Sequence, residues 1–283
     1  MQVFEGTCSC KLYADDLKLY SVIDTLEDLS LLQGAINNLL EWSHKWQMNI
    51  SHKKCAILHI GPMATDCTFT IDNCAVENVK SFRDLGVLVD SELSFVTHIC
   101  NIVAKGHARA CLIHKCFLSK DTSTLVRAFT TYVRPLLEYC SSVWSPYLKR
   151  DINKIESVQR KFTKRLKGLS NISYTERLAV LQLESLELRR LRFDLILTYK
   201  ILFDYLNTNK SSFFVLKTNS ATRGHEYKIQ PSHCRVNVRK YFFAHRVIDP
   251  WNSLPAKPEN FKSLNSFKAF LRRVDLTEFL VCT

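Results

Sequence analysis

No apolar run in these 283 residues is long enough to cross a bilayer. The first ten residues are also too short and too polar for a signal peptide. The expected location is intracellular, in cytoplasm or nucleus, with no membrane partner. There is no internal repeat and no low-complexity segment, which excludes solenoid architectures. Ligand-spaced cysteines are missing as well. The eleven cysteines are scattered, and Cys8-Ser9-Cys10 lacks the two-residue spacer of a zinc knuckle. His225, His233, Cys234 and His245 are too irregularly spaced to argue for a metal centre. Reduced thiols in a reducing compartment are the consistent reading. Acidic residues are scarce over most of the chain. Residues 93–205 carry a net charge of +10 and 206–283 a net +8, whereas 1–92 carry −6. An acidic front and a basic remainder suggest metal ligands in the first and a polyanion grip in the second.

What is present is organised around Lys11-Leu12-Tyr13-Ala14-Asp15-Asp16-Leu17-Lys18-Leu19-Tyr20. Apolar residues alternate on both sides of two adjacent carboxylates. Asp is depleted in strands and favoured in turns, so the stretch reads as a hairpin with Ala14-Asp15-Asp16 at its bend. Two hard oxygen ligands at a hairpin tip suit Mg²⁺, which is held by one or two carboxylates together with substrate phosphates. A surface Asx turn is the other reading of the same pair.

Asp24-Thr25-Leu26-Glu27 resembles a capping box with Asp as the cap, opening an amphipathic helix over about 24–46. Its stripe is expected to pack on the sheet that carries the hairpin. Short strands follow at 55–60, 69–71, 79–82 and 85–89, giving a small, mostly antiparallel sheet. From about 94 the period becomes helical. The apolar positions mark helices around 99–117, 125–136, 152–166 and 186–206, the second bent or ended near Pro135. Arg160, Lys161, Lys164, Arg165 and Lys167 cluster on the third helix, and Arg189, Arg190 and Arg192 on the fourth. Residues 207–224 read as a linker. A strand-like stretch over 227–238, a helix over 241–251 and a last helix over 264–274 complete the chain. Trp144, Trp251 and Tyr147 are assigned to the core ahead of base stacking. The fold class expected is α+β, with domains at 1–92, 93–206 and 225–283.

The ordered series of motifs resembles the reverse transcriptase of non-LTR, LINE-type retrotransposons of the jockey and CR1-like kind. Tyr13-Ala14-Asp15-Asp16 is similar to the polymerase hairpin of that family. Trp42, Trp46 and Lys54-Cys55 resemble the next block of its palm, with Ile50-Ser51 where Leu-Asn is common. Phe82-Arg83-Asp84-Leu85-Gly86-Val87 resembles the hairpin that holds the primer terminus. Tyr132-Val133-Arg134-Pro135, Trp144-Ser145-Pro146-Tyr147 and Tyr174-Thr175-Glu176-Arg177-Leu178 resemble the thumb, and Trp251-Asn252-Ser253-Leu254-Pro255 the end of such proteins.

The resemblance implies a partial palm over 1–92, a helical thumb over 93–206 and a basic C-terminal module over 225–283. It implies RNA-directed DNA polymerisation by two-metal nucleotidyl transfer. Asp15 and Asp16 would hold Mg²⁺, and Lys54 would be a cation or proton donor near the leaving pyrophosphate. Tyr13, Leu85 and Gly86 would lie at the primer. Arg160, Lys161, Lys164, Arg165 and Lys167 would track phosphates of an RNA template or RNA–DNA hybrid. Nucleotide is the substrate in the intact family. In that family another metal-binding Asp and the fingers precede the hairpin. The expectation is therefore a 5′-truncated element, inactive by itself, with weak or absent Mg²⁺ binding. Two alternatives are a non-enzymatic nucleic-acid-binding remnant and a decayed pseudogene product.

Overall fold

The computed structural model describes residues 8–61, 68–217 and 224–282. Two compact units meet in sequence at Ser94 and Phe95. The first is α+β and the second is helical.

In the first unit, strands β1 (Ser9–Tyr13) and β2 (Asp16–Tyr20) form the hairpin. Helix α1 (Leu26–Lys45) follows. Its cap is Thr25 rather than the expected Asp24. The Asp28 carboxylate accepts from Thr25 N at 2.8 Å while the Thr25 hydroxyl accepts from Asp28 N, a full capping box. The Thr25 hydroxyl bond, then the backbone bonds from Thr25 and Asp24, hold the Asp28 carboxyl below its ordinary range. Then come β3 (Ala56–Leu58), β4 (Thr70–Ile71), β5 (Cys74–Ala75), β6 (Glu77–Val79), β7 (Ser81–Asp84) and β8 (Val87–Asp90).

The expected single sheet is not observed among the described residues. The strands form four separate two-stranded ladders, β1–β2, β4–β5 and β7–β8 antiparallel and β3–β6 parallel. Gln33 of α1 both donates to Thr70 O and accepts from Thr70 N, each at 2.9 Å, so the helix is anchored on β4 and not on the hairpin. Phe69, Ile71, Val87, Ala35 and Leu40 are buried, but Trp42, Trp46, Leu12, Tyr13 and Phe82 are exposed.

The second unit contains α2 (Val96–Cys116), α3 (Thr122–Tyr132), α4 (Arg134–Glu138), α5 (Ser141–Trp144), α6 (Lys149–Lys164), α7 (Tyr174–Leu181), α8 (Leu186–Leu202), α9 (Asn237–Lys240), α10 (Phe243–Arg246), α11 (Ile248–Asn252) and α12 (Leu264–Leu271). Pro135 sits in the first turn of α4, where a missing N–H costs nothing, so the chain restarts there instead of bending. Helices α2 and α6 approach closely at Gly106. A Cβ there would meet Leu137 Cδ2 at 3.1 Å and Val158 Cγ1 at 3.3 Å.

Residues 225–282 do not stand apart. Tyr199, Leu195 and Leu202 of α8 share one core with Phe214, Phe243, Trp251, Phe261 and Phe267. Phe214 comes from the stretch read as a linker; residues 218–223 of that stretch lie outside the described residues. The strand expected over 227–238 reduces to one bridge between Leu216 and Ile229, followed by α9. The helix expected over 241–251 is two short helices joined at Val247.

Trp144 and Trp251 are fully buried, and each indole satisfies its N–H on a carbonyl, Tyr139 O at 2.8 Å and Tyr227 O at 2.7 Å. Tyr147 is not core. It is 40% exposed and stacks on Tyr241 with ring centroids 3.8 Å apart.

Candidate functional site

The hairpin pairs Tyr13 with Asp16, Leu12 with Leu17 and Lys11 with Lys18. The turn is therefore two residues, Ala14 and Asp15, and Asp16 is the first residue of β2. This narrows the expected three-residue bend. Ala14 sits at φ 52°, a left-handed conformation that glycine adopts more easily. Strand alternation puts Cys10, Leu12, Leu17 and Leu19 on one face and Lys11, Tyr13, Asp16 and Lys18 on the other. Asp15, Asp16 and Tyr13 are all exposed. Asp15 and Asp16 take no hydrogen bond or ion pair from the described residues, which leaves both carboxylates open to a cation.

The second hairpin, β7–β8, also has a two-residue turn. Leu85 at φ 44° and Gly86 at φ 89° are both left-handed, the turn whose twist matches the flanking strands. Arg83 Nη1 reaches Gly86 O at 3.5 Å. Lys18 of the first hairpin donates to Asp84, the last residue of β7, in an ion pair. The structure thus joins the Asp15–Asp16 hairpin to the Leu85–Gly86 hairpin. Lys54 ends a short 3-10 turn, His52–Lys54, is exposed and makes no bond to either Asp.

Neither Lys18 nor Asp84 was singled out from sequence. Alternation along β2 did put Lys18 on the face of Asp16, but which carboxylate it meets is a tertiary matter.

Two adjacent, unpartnered carboxylates fit part of a Mg²⁺ shell, since that ion keeps several waters. They do not complete a site. Among the described residues no group of three or more His, Cys, Asp or Glu side chains could hold a metal ion.

The five basic residues of α6 and its C-terminal extension are all exposed, while Ile152, Ile155, Val158 and Phe162 on the opposite side are buried. The strip borders α2. Lys154 Nζ lies 3.7 Å from Cys100 Sγ and Arg165 Nη1 lies 3.7 Å from Cys111 Sγ. Both contacts span 54 residues, so the two helices run in the same direction. Between them His107 bonds Ser157 Oγ at 3.2 Å. Burial first, and then the Lys161 cation, hold His107 below the ordinary histidine range; burial and Arg165 do the same to His114. Arg160 lies over the Tyr174 ring, 5.1 Å from its centroid.

The arginine cluster of α8 behaves otherwise and is not displayed to solvent. Arg189 pairs with Glu138, with Nη2 to Oε2 at 3.0 Å, and Arg192 pairs with Glu184. Arg190 is 2% exposed. Burial pulls its guanidinium below the usual arginine range, while Glu156, Glu187, Asp194 and Glu138 act to keep it charged. Glu156 in turn accepts from Tyr174 Oη and, at 3.0 Å, from Leu186 N, and burial raises its carboxyl above the ordinary value. Arg246 pairs with Asp194 at 2.9 Å, whereas the three Arg190 guanidinium nitrogens have no hydrogen-bond partner among the described residues. A buried cation needs paired carboxylates more than a surface cation does. Amphipathic spacing alone does not separate the two kinds of arginine.

The chain is 25% identical over 169 residues, 58% of its length, to the RNA-directed DNA polymerase from mobile element jockey of Drosophila funebris. It is 24% identical over 161 residues, 55% of its length, to the Drosophila melanogaster protein of the same name. A match of 30% over 112 residues, 38% of this chain and 57% of the other, links it to an uncharacterised protein of Caenorhabditis elegans. The chain is thus similar over more than half its length to the jockey RNA-directed DNA polymerases. It spans 18% of the length of each jockey protein. No family model and no solved structure matches it.

Proposed function

We propose that the chain is the part of a non-LTR retrotransposon reverse transcriptase that carries the catalytic hairpin, the primer-holding hairpin and a basic thumb. The observation that supports this most is the Lys18–Asp84 bond, which brings the Tyr-Ala-Asp-Asp tip and the Leu85–Gly86 turn into one unit. In this reading Asp15 and Asp16 hold Mg²⁺. When bound, the ion would act as a Lewis acid on the phosphoryl oxygens of a nucleotide. Tyr13, 68% exposed beside Asp16, packs against the primer end, and the Leu85–Gly86 backbone supports it. Lys54 supplies a cation, and a proton, to the departing pyrophosphate. The α6 strip grips the phosphates of an RNA–DNA hybrid without reading sequence.

Two carboxylates without a third acidic partner among the described residues lead us to expect hybrid binding without polymerisation by this chain alone. The test is primer extension on poly(rA)/oligo(dT) with Mg²⁺, run beside a binding titration on the same hybrid. Incorporation that Asp15→Asn abolishes overturns the expected inactivity. No binding at low salt overturns the assignment of the strip.

A second reading, a polyanion-binding protein with no catalytic role, is favoured by the exposure of all five basic residues from Arg160 to Lys167. It predicts that Asp15→Asn leaves metal binding as well as hybrid binding unchanged.

A further inference from the structure

We infer that Asp84 holds Lys18 away from the Asp15–Asp16 pair, so that an ion pair on the neighbouring hairpin sets the affinity of those carboxylates for a divalent cation. The inference rests on the reading of Asp15 and Asp16 as metal ligands.

Asp16 and Lys18 are two residues apart on β2 and share a face, with Cα atoms about 7 Å apart. An ammonium on a flexible four-carbon stem can reach a carboxylate at that separation. Lys11, paired directly opposite Lys18, adds a like charge on the same face and raises the demand for a counter-ion. The ammonium goes instead to Asp84, 66 residues away. Burial does not force that choice, because the Lys18 side chain is 53% exposed and that of Asp84 30% exposed.

What places Asp84 is the β7–β8 turn. Asp84 pairs with Val87 across Leu85 and Gly86, both left-handed, and this fixes the carboxylate at the end of its strand. With Lys18 on Asp84, the hairpin tip offers a cation both of its negative charges. With Lys18 on Asp16, a divalent ion has to displace an ammonium first. Lys18 and Asp84 are thus positioning residues for the metal ligands and touch no substrate.

The test is a Mn²⁺ titration of the full chain followed by electron paramagnetic resonance at low ionic strength, with circular dichroism to confirm folding. Asp84→Asn should weaken Mn²⁺ binding about three- to tenfold, the range of an uncompensated surface charge beside a divalent ion. Lys18→Met should bind Mn²⁺ with the affinity of the parent. The decisive variant is Lys18→Met/Asp84→Asn, which has neither the bridge nor the competing ammonium. Competition predicts that it regains the parent affinity. A double variant as weak as Asp84→Asn shows that the bridge matters only for structure and overturns the inference, as does parent affinity in Asp84→Asn. Should Asp84→Asn fail to fold, the double variant against Lys18→Met still decides, because equal affinity in the two supports the inference and a weaker double variant overturns it. Asp15→Asn tests the underlying reading separately: unchanged Mn²⁺ binding there means the carboxylates are not ligands, whatever Asp84 does.

Discussion

Charge neutralisation on α6 makes a quantitative prediction. Arg160, Lys161, Lys164, Arg165 and Lys167 are exposed, and the apolar side of the helix is buried, so all five cations face solvent and can meet phosphates together. Each phosphate neutralised on a duplex releases counterions, so five contacts give a slope of log K against log salt of about −4.5. Raising NaCl from about 50 to about 200 mM should then weaken binding of an RNA–DNA hybrid about 500-fold. Removing two contacts in Lys161→Ala/Lys164→Ala should reduce the slope to about −2.7 and the loss to about 40-fold over the same range. Fluorescence anisotropy with a labelled hybrid of about 20 base pairs, longer than the helix it must cover, reads both slopes. Arg192→Ala is the internal control, since its guanidinium is already committed to Glu184 and should leave the slope unchanged. A parent slope shallower than about −1.5 would refute the assignment of the strip to phosphate contacts. So would a double variant that keeps the parent slope.

Three further outcomes follow from the structure. Arg190→Met should change the stability of the helical unit by no more than about 1 kcal/mol, read from the urea midpoint, because Glu156, Glu187 and Asp194 keep Leu186 N, Val281 N and Arg246 as partners while the guanidinium removed has no hydrogen bond among the described residues; a loss of about 3–5 kcal/mol would mean that Arg190 is their principal counter-charge. His107, His114, His225 and His245 are all held below the ordinary histidine value, burial being the largest cause in each. The unfolded chain takes up protons on these imidazoles near pH 6.5 where the folded chain does not, so stability is complete above that value and falls as pH drops from about 7 towards 5.5. Thermal melts at stepped pH should show the decline, and His107→Gln/His114→Gln should flatten it. Ala14→Gly should stabilise the hairpin by about 0.5–1 kcal/mol by relieving the left-handed backbone at that turn; amide hydrogen exchange across Leu12 and Leu17 is the readout, and faster exchange in the variant would contradict the strain.

Local pattern alone was enough for the hairpin at Tyr13–Asp16, for α1, and for the succession of helices after residue 94. Alternation and 3.6-residue spacing are properties of neighbours in sequence, and burying one face of each element needs no knowledge of its partner. The order of the motifs carried the relationship to jockey-type polymerases in the same way. Tertiary structure decided what was left. It separated two kinds of arginine, exposing the cations of α6 and enclosing Arg190 among four carboxylates, because the solvation of a charge depends on what packs around it and not on its place in the helical period. It drew Phe214 and the last sixty residues into one core with α8, because aromatic rings far apart in sequence bury more surface together than apart. It also linked Lys18 to Asp84. The sequence marked out Asp15 and Asp16 as the candidate metal ligands; the company those two carboxylates keep is fixed by a contact between residues 66 positions apart.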